Sequence, residues 1–202
     1  MKWNLPNKIT LTRIFMIPLF VAVFFMEFIP YRFAISAGIF LLAAATDALD
    51  GYIARSRGLV TNLGKFLDPI ADKVLVATAM ILLLTAKEEM FLPFGGYAKA
   101  LYITTAVCVS VIMARELIIS AFRQIAATAG VVMAADKLGK LKTVFQDVSV
   151  VALLVGASFS TVLAGKVVLL IGFALFAVAT VFTVVSGVAY VVNNKQVLSD
   201  GV

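Results

Sequence analysis

Four aspartates stand in two pairs within one short stretch of the chain. Asp47 and Asp50 are three residues apart, and Asp68 and Asp72 are four apart. Residues at either spacing share one face of an α-helix, so each pair presents two carboxylates on the same side. Clustered carboxylates repel one another and are costly to desolvate, and a bound cation offsets both effects. The spacing therefore predicts a cation site built from two facing helices.

The side-chain types available as ligands indicate which cation would bind. The chain contains no histidine and one cysteine, Cys108, which lies far from the aspartates. Ligand sets made only of oxygen favour hard cations such as Mg²⁺ or Mn²⁺ over zinc or copper. Two such ions bridged by carboxylates form a common site for displacement at phosphorus. The predicted metal ligands are Asp47, Asp50, Asp68 and Asp72.

Other interpretations of the aspartates remain open at this point. Each could pair with a nearby base in solvent, but that accounts poorly for four acids at helical spacing on two adjacent helices. A divalent-cation transporter would use carboxylates within the membrane as a translocation site. It would need a polar path on both sides, whereas the outer halves of the predicted spans carry almost no ionisable residues. A purely structural membrane scaffold leaves the four aspartates unexplained.

Small residues lie on the same helical faces as the aspartates. Gly51 and Ala54 continue the face of the first pair, and Gly64 precedes Asp68 by four residues. We interpret them as clearance for a ligand, since they share faces with the carboxylates. The alternative is helix packing, because small residues let membrane helices approach closely.

A second polar set lies later in the chain. Arg115 and Arg123 are eight residues apart, close to one helical stripe, and Lys140 and Lys142 stand near the start of the next predicted helix. Converging cations predict a pocket for the phosphate of an anionic acceptor, with arginine suited to bidentate contact. The alternative is attraction to anionic lipid headgroups, which we prefer for Lys137.

Three polar residues stand at the start of the first predicted span. Asn7, Thr10 and Arg13 are each three residues apart. They either help to shape the nucleotide or acceptor site or serve as helix caps and interfacial anchors. The sequence does not decide between these two roles.

Membrane helices must position all of these residues. The chain has 202 residues, of which 62% are hydrophobic and 14% charged, with a mean hydropathy of +1.07. These values exclude a soluble globule, a disordered chain and a disulfide-stapled secreted fold. A span needs about 20 residues, and the apolar runs cover 14–29, 33–46, 74–86, 100–114, 148–165 and 167–192. Several runs are shorter than a span, so we expect the helices to continue into the charged segments that flank them. We also expect a turn at Gly165 and Lys166, between the last two helices.

The predicted fold is an all-α integral membrane protein with six transmembrane helices and both termini in the cytoplasm. Of the 17 lysines and arginines, all but Arg32, Lys87, Lys99 and Lys166 fall on the side of the termini, as the positive-inside rule requires. The chain shows no linker or internal repeat, which predicts a single domain over residues 1–202. We expect no nucleic-acid partner.

The aspartate stretch resembles the signature of the CDP-alcohol phosphotransferase family. The pattern D-x-x-D-G-x-x-A-R, eight residues, then G-x-x-x-D-x-x-x-D is matched at every position. Its fixed positions here are Asp47, Asp50, Gly51, Ala54, Arg55, Gly64, Asp68 and Asp72. The resemblance implies six transmembrane helices, two divalent metals held by the aspartates, Asp72 as the base, and a homodimer.

A finer resemblance concerns the acceptor. Residues 4–14, 62–73, 114–123 and 137–143 are similar to the bacterial phosphatidylglycerophosphate synthase branch of that family, which implies glycerol 3-phosphate as acceptor. On this hypothesis CDP-diacylglycerol enters from the lipid of the bacterial inner membrane, with the site facing the cytoplasm. The nucleotide-binding residues would be Asp47, Gly51, Ala54, Arg55 and Gly64. Acceptors of the cardiolipin, phosphatidylserine and phosphoinositol synthases remain alternatives.

Overall fold

A computed structural model describes residues 5–56, 62–128 and 137–195, and all regular structure in these ranges is helical. Side chains are described except at 5–6, 47–56, 62–63, 65–66, 69, 127–128 and 137. The helices are α1 (Leu5–Phe25), α2 (Arg32–Ser56), α3 (Asn62–Thr85), α4 (Lys87–Met90), a 3₁₀-helix (Leu92–Tyr97), α5 (Ala98–Thr128), α6 (Lys137–Ser158) and α7 (Leu163–Asn193). The all-helical prediction is confirmed for the described residues.

Among the described residues, four segments are long and apolar enough to cross a membrane: Asn7–Phe25, Leu92–Ala126, Leu138–Ser158 and Leu163–Asn193. The apolar part of α2, Arg32–Thr46, is shorter. Because α2 continues to Ser56 and α6 begins at Lys137, the expected extension of helices into charged flanks is confirmed. The six-span topology and the cytoplasmic termini remain predictions.

Aromatic packing at the centre of the bundle holds α1 against α2. Phe20 and Phe40 are fully buried with ring centroids 6.2 Å apart, and Phe24 meets Phe33 edge-on at 5.0 Å. Edge-to-face and tilted pairs at these distances add to the stabilisation from burial alone. This packing fixes the relative position of the two helices whose other ends carry Thr10, Arg13 and the first aspartate pair.

The turn between α6 and α7 differs from the sequence prediction. The break falls between Ser158 and Leu163, and Gly165 lies within the first turn of α7, so the predicted turn at Gly165 and Lys166 is wrong. A Cβ at Gly165 would lie 1.8 Å from the carbonyl oxygen of Phe159. This glycine therefore serves close packing of the helix against the preceding turn, which its type alone does not distinguish from a turn residue.

Gly165→Ala should destabilise the protein by at least about 2 kcal/mol, because the new methyl group would overlap a backbone atom that cannot move independently. The matched control is Gly38→Ala on α2, where nothing lies within 4 Å of the added Cβ and helix propensity improves. Thermal unfolding in detergent should show a clearly lower Tm for the first variant only. Equal Tm values for the two variants would contradict this account of the turn.

Candidate active site

Asp68 on α3 contacts the start of α1. The hydroxyl of Thr10 donates a hydrogen bond of 2.7 Å to Asp68 Oδ1, and Thr10 is only 1% exposed. A carboxylate accepts at several positions, so this bond orients the group and leaves room for further ligands. Thr10 therefore positions a predicted metal ligand from a helix 58 residues away in sequence.

The other two polar residues of α1 are also turned inward. Asn7 is 2% exposed and Arg13 is 0% exposed. Arg13 Nε donates to Thr46 Oγ1 over 3.5 Å, and Thr46 donates in turn to the carbonyl of Ala43 at 2.7 Å. A fully buried guanidinium thus stands at the residue that precedes the first aspartate pair. This burial favours a role in the site over anchoring at the membrane surface.

The first aspartate pair falls on α2, but its side chains lie outside the described residues. The same holds for the side chains of Gly51, Ala54 and Arg55, whereas Gly64 on α3 is described and buried. Within the described residues no three acidic or cysteine side chains converge, and that search includes Asp68 and Asp72 but not Asp47 and Asp50. The convergence of all four carboxylates therefore remains a prediction.

A cavity of about 250 Å³ opens beside Asp72, between α3, α5 and α6. We call it the Asp72 cavity. Valine, alanine, methionine and leucine side chains supply its apolar walls, and its polar lining residues are Asp72, Lys73, Glu116, Lys142, Thr143 and Gln146. A space of this size with a few polar groups on apolar walls suits a small ligand held in one orientation.

One of the two lysines that line this cavity, Lys142, is paired with an acid on the neighbouring helix. Lys142 Nζ lies 2.5 Å from Glu116 Oε1, and the lysine side chain is 6% exposed. Arg115 Nη1 contacts the same oxygen at 3.0 Å. Lys73 donates to the hydroxyl of Ser120 on α5. Helix α5 therefore contacts both α3, through Ser120, and α6, through Glu116, beside the cavity.

The predicted cations do not all meet at the cavity. Lys142 lines it, and Arg115 reaches it only through Glu116. Lys140 is exposed. Arg123 is engaged by Tyr190 of α7, whose hydroxyl accepts from Arg123 Nε at 3.1 Å and whose ring centroid lies 5.2 Å from the guanidinium carbon. The structure thus separates four residues that the sequence treated as one set.

Helix α7 also holds Arg115. Arg115 Nη2 donates to Ser186 Oγ at 3.1 Å, and a Cβ at Gly187 would lie 3.0 Å from Arg115 Cγ. The arginine therefore packs closely over Gly187, and a larger residue there would shift its side chain by a few tenths of an ångström. Sequence reasoning missed Ser186, Gly187 and Tyr190 because the last span is almost uniformly apolar. A usable signal was present, since Ser186 and Tyr190 are polar residues one helical turn apart.

Comparison with known proteins identifies the chain's relatives. A model of the CDP-alcohol phosphatidyltransferase family matches residues 3–192. The chain belongs to this family. It is therefore an enzyme, a CDP-alcohol phosphatidyltransferase of phospholipid biosynthesis, and membership favours this role over the transporter and scaffold interpretations.

Relatives of this CDP-alcohol phosphatidyltransferase include proteins with two different names. A CDP-diacylglycerol–glycerol-3-phosphate 3-phosphatidyltransferase from Bacillus subtilis (strain 168) is 38% identical and covers 97% of both chains. One from Salmonella typhimurium is 37% identical over 99% of this chain and 100% of its own. A cardiolipin synthase (CMP-forming) from Oryza sativa subsp. japonica is 39% identical, over 75% of this chain and 45% of the relative.

Proposed function

We propose that this enzyme transfers the phosphatidyl group of CDP-diacylglycerol to sn-glycerol 3-phosphate, giving phosphatidylglycerophosphate and CMP. The observation that carries the proposal is the Asp72 cavity, which combines a carboxylate with the buried ammonium of Lys142. An acceptor with a hydroxyl at one end and a phosphate at the other matches that pair of groups. Relatives that share nearly the full length of the chain are named for the same acceptor.

Two divalent ions, Mg²⁺ or Mn²⁺, belong to this proposal. Asp47, Asp50, Asp68 and Asp72 would hold them, and the described members fit, because Asp68 and Asp72 offer the oxygen ligands that hard cations prefer. When bound, such ions withdraw charge from phosphoryl oxygens and stabilise a departing phosphate group. Thr10 contributes by fixing the orientation of the Asp68 carboxylate.

The side chains of the cavity would perform the proton transfer and hold the acceptor. Asp72 accepts the proton of the C1 hydroxyl of glycerol 3-phosphate, and that oxygen attacks the phosphorus attached to diacylglycerol as CMP leaves. Lys142 holds the acceptor phosphate by a charge-assisted hydrogen bond. Arg115 supports this position through Glu116, whereas Arg123 and Lys140, which do not line the cavity, remain predicted ligands of the acceptor phosphate.

The remaining predicted features complete the proposal. Asp47, Gly51, Ala54, Arg55 and Gly64 would accommodate the cytidine nucleotide. We place the site at the cytoplasmic face of a bacterial inner membrane, because the site residues share the end of the bundle that is rich in lysine and arginine. The homodimer that the family resemblance implies also belongs to this proposal. The acyl chains of CDP-diacylglycerol would stay in the surrounding lipid.

An acceptor panel tests the proposed function. Detergent-solubilised protein with CDP-diacylglycerol should release CMP with glycerol 3-phosphate, and not with serine, inositol phosphate or phosphatidylglycerol. A chelator should abolish the release, and added Mg²⁺ or Mn²⁺ should restore it. Release with phosphatidylglycerol in place of glycerol 3-phosphate would favour the second candidate, a cardiolipin synthase, which the rice relative supports.

Gly187→Ala should raise the KM for glycerol 3-phosphate by about fivefold, because the added methyl group shifts the Arg115 side chain on α7 and so weakens the hydrogen bonds of this charged group. The KM for CDP-diacylglycerol should stay within twofold of the original. Val188→Ala, at the neighbouring exposed position, is the control and should change neither constant. An unchanged acceptor KM in Gly187→Ala would show that α7 does not support the acceptor pocket.

A further inference from the structure

Gln146 is a buried amide near the middle of α6, between the lysine-rich start of the helix and its apolar second half. It lies on α6 one turn beyond Lys142 and is 3% exposed. Its Oε1 atom is buried and has no hydrogen-bond partner within the described part of the structure. Its Nε2 atom faces Met80 Sδ at 3.9 Å, and a thioether is a weak acceptor. A buried polar atom without a partner is costly, so this side chain needs an explanation.

Packing does not supply that explanation. A methionine or leucine would fill a similar volume without leaving an amide oxygen unsatisfied. The nearby hydroxyl of Ser149 bonds to the backbone carbonyl of Gln146 at 2.7 Å and not to its side chain. What distinguishes the position is the Asp72 cavity, because Gln146 forms part of its lining together with Asp72 and Lys142.

Helix geometry places the amide of Gln146 on the same helix face as Lys142. Residues four apart lie on one face of a helix, and side chains lean toward the helix N-terminus. The amide of Gln146 therefore leans toward Lys142 on the same wall of the cavity. Glu116 Oε1, on the facing helix α5, already accepts from both Lys142 and Arg115. Gln146 Oε1 is thus an uncommitted acceptor in a cavity whose other polar groups suit a hydroxyl and a phosphate.

We propose that Gln146 is a specificity-determining residue that accepts a hydrogen bond from a hydroxyl group of the acceptor that is not consumed in the reaction. This inference rests on the proposed function. In a three-carbon polyol phosphate with its reacting hydroxyl at Asp72 and its phosphate at Lys142, the middle hydroxyl lies between them. Its hydrogen satisfies the Gln146 oxygen, and an acceptor without that hydroxyl leaves the amide unpaired.

The test compares glycerol 3-phosphate with 3-hydroxypropyl phosphate, which lacks only the middle hydroxyl. The original enzyme should prefer glycerol 3-phosphate by about tenfold in kcat/KM, the loss typical of one neutral hydrogen bond. Gln146→Met should lower kcat/KM for glycerol 3-phosphate about tenfold and change that for the analogue by less than about twofold. The Gln146→Met enzyme should therefore show almost no preference for glycerol 3-phosphate over the analogue. Gln124→Met, the same substitution at an exposed position of α5, should keep the full preference.

Two results would overturn the inference. One is a Gln146→Met enzyme that keeps the tenfold preference, and the other is an equal loss with both acceptors, which would show a packing role only. If Gln146→Met does not fold, Gln146→Asn withdraws the amide by one methylene and should reduce the same ratio. The proposed function fails separately, if the original enzyme makes no product from glycerol 3-phosphate but does so with another acceptor.

Discussion

Asp68→Asn should abolish CMP release, lowering turnover by about a thousandfold or more, because it removes a negative charge from the proposed metal ligands. The asparagine keeps the size of the side chain, and its amide oxygen can still accept the hydrogen bond from Thr10. The protein should therefore insert and purify as before. CMP release from CDP-diacylglycerol with saturating glycerol 3-phosphate and Mg²⁺ measures the loss.

Two further variants separate the charge of Asp68 from its orientation. Thr10→Val removes the hydroxyl that donates the 2.7 Å bond to Asp68 and should lower turnover about tenfold, with partial recovery at higher Mg²⁺ concentration. Glu88→Gln neutralises an exposed acid on α4 and should leave turnover unchanged. Substantial activity in Asp68→Asn would remove Asp68 from the metal ligands and with it the proposed mechanism.

Lys142→Met should raise the KM for glycerol 3-phosphate by about 30-fold, the effect expected for a lost hydrogen bond to a charged group. The KM for CDP-diacylglycerol should stay within about twofold, since the nucleotide is assigned to other residues. Steady-state kinetics with each substrate varied in turn gives both constants. Lys99→Met, an exposed lysine at the start of α5, is the matched control and should alter neither.

Glu116, the acid paired with Lys142, allows a control for the predicted rise in the acceptor KM of Lys142→Met. Without the lysine, Glu116 keeps only Arg115 among the two cations that contact its Oε1 atom, and a partly buried acid with one fewer partner destabilises the fold. The double variant Lys142→Met/Glu116→Gln should recover stability but not the acceptor KM. Recovery of both would mean that Lys142 acts only as a counter-ion of Glu116.

Local spacing predicted the parts of the site that lie on one helix. The two aspartate pairs fall on α2 and α3, and the charged flanks of the apolar runs are helical. Spacing could also have separated Lys140 from Lys142, because residues two apart do not share a helix face. The structure shows that difference, with Lys142 buried and Lys140 exposed.

Contacts between distant helices could not be predicted in the same way. The bond from Thr10 to Asp68 joins residues 58 apart, and that from Arg115 to Ser186 joins residues 71 apart. The sequence shows Glu116 beside Arg115, but the residues around it do not indicate that Glu116 bridges α5 and α6 by contacting Lys142. Gly165 has the composition of a turn, and only the approach of Phe159 shows that it serves packing. These contacts between residues on different helices depend on how the helices pack against one another, which local sequence patterns do not specify.

Transfer of labelled acceptor into lipid is the most direct test of the proposed reaction. Purified protein would be incubated with CDP-diacylglycerol, Mg²⁺ and glycerol 3-phosphate labelled with ³²P, followed by extraction of the lipid. We predict one labelled phosphatidylglycerophosphate for each CMP released, and neither product when a chelator is present. Release of CMP without label in the lipid, or label transfer that persists in Asp68→Asn, would contradict the account.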